Sequence, residues 1–433
     1  MNRTLRSRAS RAWARTATGI ATTVTIAVTT TACGGAGGGS ESAPGVTGDT
    51  IKIGSTQPLT GPVAPGYAKM SKAMAAYFNY VNDNGGVHGR SIDFVVEDDG
   101  YNPTKTAEKT RKLVLKDKVF ALVGAFGTAP HTAVLDFIRQ NKVPDLFPSS
   151  GSVSWNQPDI YPDTFGWQTD YIREGKVLAS YVKENFAGKT VCAFGQGDDL
   201  GADGVKGVET VLGKDGLKAS EAYTATNPDV KAQIGKLQAS GCEVVVSFSS
   251  PGFTALALGT SAKLGFKAQW VVVSIGSDPV GLTGYLKDDA AALTNGLISS
   301  TFLPLPTDAD NSWIKLFTTI NNEYNEEQGL DSIVLYGYAL AYSAVEALQA
   351  AGKDLTREGL LKVLGSGDLV GPGLTPFAFS ADDHSGFIGT AMTRITDLKA
   401  EIISPVYVTD DGDGPVEKYD GVAPQAPKGG ISK

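Results

Sequence analysis

The chain of 433 residues is poor in the side chains on which many enzymes and metal sites depend, with only three histidines and three cysteines. His88, His131 and His384 are scattered without metal-ligand spacing, so the sequence predicts no metal site. It contains no Gly-x-Ser-x-Gly, His-Glu-x-x-His or Walker A motif, and we therefore expect neither an enzyme nor a bound cofactor. A formal net charge of −8, without any basic stripe, argues against nucleic-acid binding.

Long apolar runs are also missing, because the uncharged stretch at residues 17–32 is too short and too rich in threonine to span a membrane. Five arginines and no acidic residue precede it, at Arg3, Arg6, Arg8, Arg11 and Arg15. A basic segment followed by an apolar one predicts a secretory signal peptide over residues 1–32. The glycine- and serine-rich residues 33–47 predict a flexible linker.

Cys33 stands at the junction of these two segments. Thr31-Ala32-Cys33 resembles a bacterial lipobox, which implies that the thiol of Cys33 receives a diacylglyceryl group. The protein would then lie outside the cytoplasm, anchored by lipid to the outer face of the cell membrane. Thr30 occupies the position where lipoboxes usually carry leucine, so the alternative is an ordinary signal peptide that ends near a chance cysteine.

The two remaining cysteines, Cys192 and Cys242, lie in strand-like segments of the sequence. In an exported protein they are candidates for a disulfide. If the two strands are neighbours, the bridge closes a loop of 50 residues, which chain-entropy arguments value at about 4 kcal/mol. The sequence leaves this disulfide and a pair of buried free thiols equally open.

Strands and helices alternate through most of the remaining sequence. The strands are predicted at residues 51–55, 92–97, 120–123 and 143–147, and in a second series at 190–194, 221–225, 243–248 and 270–273. Helical connections between them favour right-handed β-α-β units and parallel sheets. Two such series predict an α/β fold with two doubly wound parallel-sheet lobes. Long helices are predicted over 313–328 and 332–351, and a β-rich segment over 377–407.

Ligands of open α/β sheets bind at the carboxyl ends of the strands, where loops and helix N-termini converge. The candidate pocket loops are therefore 56–67, 125–131, 148–155, 195–203, 248–254 and 274–280. Several begin with glycine, serine or threonine, whose N–H and hydroxyl groups suit a carboxylate or another small polar ligand. Aromatic residues such as Tyr67, Phe126 and Phe248 would cover an apolar part of the ligand, and the last loop adds Ser277 and Asp278.

The sequence carries several motifs of a known family, two of them in these loops. The motifs are Leu59-Thr60-Gly61-Pro62, Asn84-Gly85-Gly86-Val87-His88-Gly89, Asp98-Asp99-Gly100-Tyr101-Asn102-Pro103, Phe147-Pro148-Ser149-Ser150 and Phe377-Ala378-Phe379. In this set the chain resembles the solute-binding proteins of branched-chain amino acid ABC transporters, the Leu/Ile/Val type, over about residues 48–407. The resemblance implies a type I periplasmic-binding fold, in which two lobes joined by three hinge crossings close on a ligand.

The resemblance also implies where the lobes begin and end. The expected bounds are 48–167 with 303–372 for the N-terminal lobe, 168–302 with 373–415 for the C-terminal lobe, and 416–433 for a tail. The hinge crossings would fall near 165–169, 299–303 and 371–376.

The site residues of the family transfer by position. The hydroxyl that holds the ligand carboxylate corresponds to Thr128, and the donors after the next strand correspond to Ser149, Ser150 and Gly151. The aromatic residue at the end of the second lobe's third strand falls on or near Phe248.

One position departs from the family. Its amino-acid binders place an acidic residue before a glycine, in the loop after the fourth strand of the second lobe, to pair the ligand's α-ammonium. Here Ile275 precedes Gly276, and the nearest carboxylate is Asp278. A buried unpaired ammonium costs several kcal/mol, so the departure argues against a free α-amino acid. Amides, urea-like solutes, short carboxylic acids and aromatic acids remain open as ligands.

The first functional hypothesis is an extracytoplasmic, monomeric receptor that captures a small polar or carboxylate-bearing solute and delivers it to ABC permease subunits. The alternative is a ligand-sensing subunit that acts on a signalling partner. Gly195-Gln196-Gly197-Asp198-Asp199-Leu200-Gly201 is a poor dinucleotide loop, because its glycine spacing is off and its two carboxylates would repel a pyrophosphate. Asp410-Asp411-Gly412-Asp413-Gly414 lacks the bidentate glutamate of a calcium loop and predicts a solvated hairpin turn.

Overall fold

The structure is a computed structural model that describes residues 43–61 and 63–432. The predicted signal peptide over residues 1–32, the predicted lipidation site Cys33 and most of the predicted linker lie outside the described residues. Within the described ranges, no helix combines the length and the apolar character that crossing a membrane requires.

Two β-sheets form the framework of the protein. Their strands are β1 (Thr50–Gln57), β2 (Ser91–Asp98), β3 (Ala121–Val123), β4 (Asp145–Leu146), β5 (Thr164–Phe165), β6 (Val191–Gln196), β7 (Ser220–Tyr223), β8 (Val244–Phe248), β9 (Gln269–Val272), β10 (Ile298–Thr301), β11 (Gly389–Thr396), β12 (Lys399–Val408) and β13 (Glu417–Lys418). The first sheet has the order β2-β1-β3-β4-β5 and is parallel throughout. The second has the order β13-β12-β11-β10-β9-β8-β6-β7.

The second sheet is parallel from β7 to β10 and antiparallel from β10 to β13. All eight strands predicted in the two series fall on observed strands, and β11 and β12 account for the predicted β-rich segment. The sequence analysis did not predict β5, β10 and β13 as strands; β5 and β13 have two residues each and β10 has four.

Helices connect and flank the strands. They are α1 (Ala64–Asp83), α2 (Pro103–Arg111), α3 (Thr128–Thr132), α4 (Leu135–Gln140), α5 (Tyr171–Asn185), α6 (Asp199–Leu212), α7 (Lys231–Ala239), α8 (Pro251–Leu264), α9 (Pro279–Leu286), α10 (Ala290–Thr294), α11 (Ser312–Tyr324), α12 (Ser332–Ala350) and α13 (Arg357–Leu364). A π-helical turn over Lys112–Lys116 extends α2.

Local capping chemistry sets where the helices begin. Asn102 caps α2 by accepting hydrogen bonds from the N–H groups of Thr104 and Lys105, as the Asn-Pro pair predicted. Helix α6 begins at Asp199 rather than near residue 204, because the side chain of Asp198 accepts from the N–H of Leu200. The candidate pocket loop after β6 is therefore shorter than the sequence predicted.

Before β13 the chain passes between the two sheets three times, after β5, after β10 and between α13 and β11. Helices α1, α11, α12 and α13 contribute to the apolar core of the first sheet, whereas α5 to α8 contribute to the cores beside the second. The passing segments are bonded to one another, since Leu374 N–H donates to Phe302 O at 2.8 Å and Phe387 N–H to Trp167 O at 2.9 Å. This is the two-lobed α/β fold that the sequence predicted.

A disulfide joins Cys192 in β6 to Cys242, two residues before β8, with their Cα atoms 5.8 Å apart. The strands β6 and β8 are parallel neighbours, which is the condition that the sequence set for a bridge. Both cysteines are buried in one apolar core of the second sheet.

The last described residues do not form a free tail. Strand β13 pairs with β12 at the edge of the second sheet, and the chain then runs to the core of the first. There the indole of Trp313 donates to Pro424 O at 2.9 Å, and the hydroxyl of Tyr77 donates to Gly430 O at 2.7 Å. The segment after β13 therefore forms a further connection between the two lobes.

The turn over residues 410–414 is held by a buried lysine rather than by solvent alone. The ammonium of Lys176 in α5 donates to Asp410 Oδ1 at 2.7 Å and to Gly412 O at 2.9 Å. The side chain of Lys176 is 1% exposed, so the pairing satisfies a charge taken out of water. The turn itself joins the antiparallel strands β12 and β13, and Asp410, Gly412 and Asp413 are exposed, which agrees with the predicted solvated hairpin turn.

Candidate functional site

Two adjoining cavities lie where the loops after the strands of both sheets meet. The first, named the polar cavity, has a volume of about 20 Å³, and its lining includes Thr128, Tyr171 and Ser250. The second, named the hinge cavity, has a volume of about 90 Å³ and lies against the chain that leaves β10. Four residues line both: Tyr67, Phe126, Ser149 and Ile275. The two cavities are therefore neighbouring parts of one cleft.

The polar cavity brings together hydroxyl groups from both lobes. Thr128 and Ser149 follow β3 and β4 of the first sheet, whereas Tyr171 and Ser250 follow β5 and β8. Thr128 Oγ1 lies 2.7 Å from Ser150 Oγ, and Thr128 is 3% exposed. Such a group of neutral donors suits a carboxylate or another anion, because hydrogen bonds to a charged acceptor are the stronger ones.

The backbone before Thr128 needs a glycine. Gly127 has φ of +98°, in the region that side chains other than glycine rarely adopt, and a Cβ atom there would lie 2.5 Å from the ring of Tyr101. This close approach lets α3 begin directly at the cavity, with Thr128 as its first residue.

Tyr171 is a site residue that the sequence analysis missed. It is the first residue of α5, whose N-cap is Asp170, and it is buried. Burial raises the pKa of its phenol, while hydrogen-bonding groups of Gly151, Ser150 and Thr128 act in the opposite direction. The hydroxyl is therefore a neutral donor beside Thr128. An aromatic residue directly after a helix cap at a hinge was the signal available in the sequence.

The hinge cavity is mostly apolar. Its apolar lining comes from α1, from the chain after β10 and from α12: Met70, Phe302, Leu303, Pro304, Leu305, Pro306, Ile333, Leu335 and Tyr336. Its polar lining includes Gln168, Ser274, Ser277, Asp278 and Ser300. A chamber of this composition favours a hydrocarbon part of a ligand, oriented by a few polar groups.

Tyr67 and Ile275 form a contact between the lobes at the boundary of the two cavities. The hydroxyl of Tyr67 in α1 donates to Ile275 O at 3.0 Å, and the Tyr67 ring lies 4.5 Å from that of Phe126. Ile275 occupies the loop position where the sequence analysis looked for an acidic residue. This apolar residue lines both cavities, and its carbonyl accepts the hydrogen bond from Tyr67.

Other contacts between the lobes lie beside the polar cavity. The N–H of Val153 donates to Asp203 Oδ2 at 3.1 Å, and the hydroxyl of Ser154 donates to Asp199 Oδ2 at 3.2 Å. Burial raises the pKa of Asp203 to about 7, and the neighbouring Asp199 adds to the effect. Together with the Tyr67 contact, these bonds describe lobes that are closed on each other.

Asp278 and Ser277 lie in the hinge cavity as the loop after β9 turns into α9. The carboxylate of Asp278 caps this helix by accepting from the N–H of Gly281 at 2.6 Å, and the residue is 4% exposed. Burial raises the pKa of Asp278, and Asp331 adds to the increase. Ser277 Oγ donates to Ser274 O at 3.0 Å and accepts from Ser299 Oγ at 2.6 Å.

Glu174 is a second residue that the sequence analysis missed. It lies on α5 directly behind the hinge cavity, fully buried, and accepts from the N–H of Ser274 at 2.7 Å and from the hydroxyl of Ser300. Burial raises the pKa of its carboxyl to about 7. Both of its partners line the cavity, so Glu174 positions the wall rather than touching the space itself.

Not all predicted residues lie at the cavities. The buried ring of Phe248 lines neither of them, because it packs against Gly204 of α6, where a Cβ atom would lie 2.1 Å from the ring. This corrects its expected role as a cover for the ligand. Ser150 and Gly151 do not line the polar cavity either, although Ser150 Oγ contacts Thr128 Oγ1.

Comparisons with known proteins identify the family to which the chain belongs. Residues 50–399 match the family model described as "Periplasmic binding protein". The chain is 23% identical to Leu/Ile/Val-binding protein homolog 1 of Brucella abortus over 313 residues, which cover 71% of this chain and 80% of that protein.

Two solved structures share the fold. One is a branched-chain amino acid ABC transporter protein from Thermus thermophilus with bound valine, with a TM-score of 0.73 and 19% identity over 84% of this chain and 98% of that one. The other is a fatty acid ABC transporter substrate-binding protein from Thermomonospora curvata, with a TM-score of 0.73 and 24% identity over 88% and 98% of the two chains. The chain therefore belongs to the periplasmic binding protein family, as a solute-binding protein with the type I fold of the Leu/Ile/Val-binding type.

Proposed function

We propose that this protein is the solute receptor of an ABC importer and that it closes its two lobes on a small carboxylate-bearing solute. Membership of the family implies an extracytoplasmic location. The proposed lobes are residues 48–167 with 303–372 and residues 168–302 with 373–415, acting within a monomer. Its partners would be the solute and the ABC permease subunits that read the closed form.

The polar cavity is the observation that carries this proposal. Thr128 and Ser149 come from one lobe, and Tyr171 and Ser250 come from the other, so an anion held among them contacts both. A ligand that contacts both lobes favours the closed form over the open one, and the population shifts accordingly.

The absence of an acidic residue at position 275 limits the class of ligand that fits the cleft. Ile275 faces both cavities, so a ligand ammonium beside the carboxylate would meet an apolar side chain. This favours a carboxylic acid without an α-ammonium over a free α-amino acid. The fatty acid-binding neighbour from Thermomonospora curvata supports the same choice, whereas the valine-bound neighbour supports the other. Amides and urea-like solutes lack the charge for which the hydroxyl groups are suited.

A lipid on Cys33 would keep the receptor beside its permease. We propose this anchor from the Thr-Ala-Cys sequence and from the glycine-rich segment that follows it. Replacement of Cys33 by alanine is expected to release the protein from the membrane fraction without changing its ligand affinity. A variant that remains in the membrane fraction would contradict the anchor and leave the solute-binding proposal intact.

A thermal-shift screen of the purified protein against carboxylic acids, α-amino acids, amides and aromatic acids tests the function. A solute present at 100 times its Kd adds about 2.7 kcal/mol to the stability of the protein, a clear rise in melting temperature. Carboxylic acids are expected to produce this rise, and a response to amides or urea-like solutes alone would contradict the ligand class.

Deletion of the gene is then expected to abolish uptake of the responding solute at low concentration. Unchanged uptake together with a lost transcriptional response would favour the sensing subunit over the importer.

A further inference from the structure

Two carboxylates of α6 bind the loop that follows β4 in the other lobe. The N–H of Val153 donates to Asp203 Oδ2 at 3.1 Å, and the hydroxyls of Ser152 and Ser154 each donate to Asp199 Oδ2 at 3.2 Å. These three bonds join the lobe of the first sheet to a helix of the second. They belong to the closed form and are lost when the lobes separate.

The loop that these carboxylates hold leads to the polar cavity. The N–H of Ser152 donates to Ser150 Oγ at 3.3 Å, and Ser150 Oγ lies 2.7 Å from Thr128 Oγ1. Asp199 and Asp203 line neither the polar cavity nor the hinge cavity. They act on the site through the loop, which carries hydroxyl groups to the place where a solute carboxylate would bind.

All three donors across the lobes are neutral, since they are one backbone N–H and two hydroxyls. When the lobes are apart, water solvates both carboxylates. Closing replaces part of that water by donors that carry no charge. A carboxylate that loses water without gaining a cation binds a proton more readily. Closing of the lobes and binding of a proton should therefore favour each other.

The charged groups that act on Asp203 strengthen this effect. Asp199 lies one turn earlier on α6 and Asp170 caps α5, and both repel a negative charge on Asp203. Asp198, the N-cap of α6, adds another carboxylate at the same end of the helix. Lys206 attracts the charge, but it is exposed to solvent. Negative charge thus outweighs positive charge around Asp203.

The other titratable groups on the elements packed against this end of α6 are bonded elsewhere. On α5, Arg173 pairs with Asp170, Glu174 accepts from an N–H of its own lobe, and Lys176 binds the turn after β12. On α3, His131 pairs with an aspartate of β4. The strands β6 and β8, which also pack against α6, contain no charged residue.

We propose that Asp203 is a positioning residue that takes up a proton as the lobes close, so that the protein binds its solute more tightly as the pH falls from about 8 to about 6. This rests on the proposed function and adds a control of the same cleft by pH. In the closed lobes the pKa of Asp203 is about 7, against an ordinary value of 3.8. The closed form therefore holds the proton below pH 7, and its advantage is lost as the pH rises through 7.

Calorimetric titration of the wild-type protein with hexanoate tests the proposal, because a simple carboxylic acid stays ionised between pH 6 and pH 8. Linkage with the two pKa values predicts a Kd about tenfold lower at pH 6 than at pH 8. It also predicts the uptake of about half a proton per bound hexanoate at pH 7. Titrations at pH 7 in two buffers of different ionisation enthalpy measure that uptake.

The variant Asp203→Asn keeps an oxygen that can accept from the N–H of Val153 but cannot ionise. At pH 8 it is expected to bind hexanoate roughly tenfold or more tightly than the wild type, and to show neither the pH dependence nor the proton uptake. A purely structural role would give no such gain. Asp215→Asn removes an exposed carboxylate just beyond α6 and is the matched control, expected to follow the wild type.

The outcomes separate this proposal from the function on which it rests. Hexanoate binding with one Kd at pH 6 and pH 8 and without proton uptake would overturn the role of Asp203 and leave the carboxylate receptor standing. Uptake that persists in Asp203→Asn would do the same.

If hexanoate does not bind at either pH, the proposed ligand class fails, and X-ray scattering of the ligand-free protein decides the role of Asp203. The wild type is then expected to be more compact at pH 5 than at pH 8, and Asp203→Asn to have one size at both. A wild type of unchanged size would overturn the proposal.

Discussion

The polar cavity and the hinge cavity share four lining residues and yet are built in opposite ways. The polar cavity is small, at about 20 Å³, and draws hydroxyl groups from loops that directly follow strands. The hinge cavity is larger, at about 90 Å³, and draws apolar side chains from α12 and from the chain that leaves β10. The polar cavity is thus suited to a charged group that many solutes share. The hinge cavity is suited to the apolar part of a solute, which differs from one solute to another.

From this difference we expect the hinge cavity to decide which solutes the protein prefers. The strand-end loops place donors wherever the fold places a helix N-terminus, so the proposed carboxylate end would follow from the fold itself. The hinge cavity depends on segments that also carry the chain between the lobes, such as residues 302–306. A change of ligand along this family is therefore expected to alter the hinge side first.

The largest effect is expected at Glu174, which supports the wall of the hinge cavity. Its pKa is raised to about 7 in the folded protein from an ordinary value of 4.5. Below about pH 4.5 the carboxyl is protonated in both states. As the pH rises towards 7 the unfolded state loses its proton first, so this group destabilises the folded state by up to about 3 kcal/mol at neutral pH. Glu174→Gln removes that loss.

Urea unfolding at pH 4.5 and at pH 8 measures this effect. The variant is expected to gain stability over the wild type at pH 8 relative to pH 4.5. The exposed Glu326→Gln serves as control and is expected to follow the wild type at both pH values. If the stability of Glu174→Gln and that of the wild type changed equally between the two pH values, Glu174 would not be a buried carboxyl with a raised pKa.

The next largest effect is expected at the polar end. Thr128→Ala removes a hydroxyl from the polar cavity and is expected to weaken every carboxylate ligand roughly tenfold to a hundredfold, whatever its far end. Titration of hexanoate into Thr128→Ala measures this loss, with the exposed Thr319→Ala as control. An unchanged Kd for hexanoate in Thr128→Ala would remove Thr128 from the site.

A smaller effect is expected from an acidic residue at the boundary. Ile275→Asp places a carboxylate against both cavities, where like charge repels a bound carboxylate and opposite charge attracts an ammonium. Hexanoate is expected to bind about tenfold more weakly, while the ratio of its Kd to that of norleucine rises. Ile275→Asn adds a polar group without charge, so it separates the effect of the negative charge from the effect of polarity alone. Equal weakening of hexanoate in both variants would contradict the electrostatic explanation.

The smallest effect is expected from the contact between the lobes. Tyr67→Phe removes the hydrogen bond to Ile275 O but keeps the ring against Phe126. One neutral hydrogen bond contributes about 1 kcal/mol, so all ligands are expected to weaken by about fivefold without any change in their order. A change confined to one ligand would show that Tyr67 acts as a contact for that ligand rather than as a bond of the closed form.

Much of the fold and of the polar end followed from the sequence. Parallel strands separated by helices place their following loops at one edge, and for that reason Thr128 and Ser149 were predictable as neighbours. The condition for the disulfide between Cys192 and Cys242 was also visible, since both cysteines lie in or beside strands of one series.

The other site residues could not be predicted, because a sequence does not show which way a buried side chain points or where a later helix packs. Phe248 ends a strand whose residues are all buried, so alternation could not show that its ring faces α6 instead of the cleft. Tyr336 reaches the hinge cavity only because α12 returns to the first sheet after the second is complete. The buried Glu174 could not be told from an ordinary surface glutamate on α5 without the packing around it.

The central proposal is that the cleft holds a carboxylate and an apolar body, and that its lining among residues 43–61 and 63–432 offers no acidic partner for an α-ammonium beside that carboxylate. Calorimetric titration of the wild-type protein with hexanoate and with L-norleucine tests it most directly, because the two acids differ only in that ammonium group. The account predicts that hexanoate binds at least tenfold more tightly than norleucine, since the ammonium would lie unpaired against Ile275. Equal or tighter binding of norleucine would contradict it.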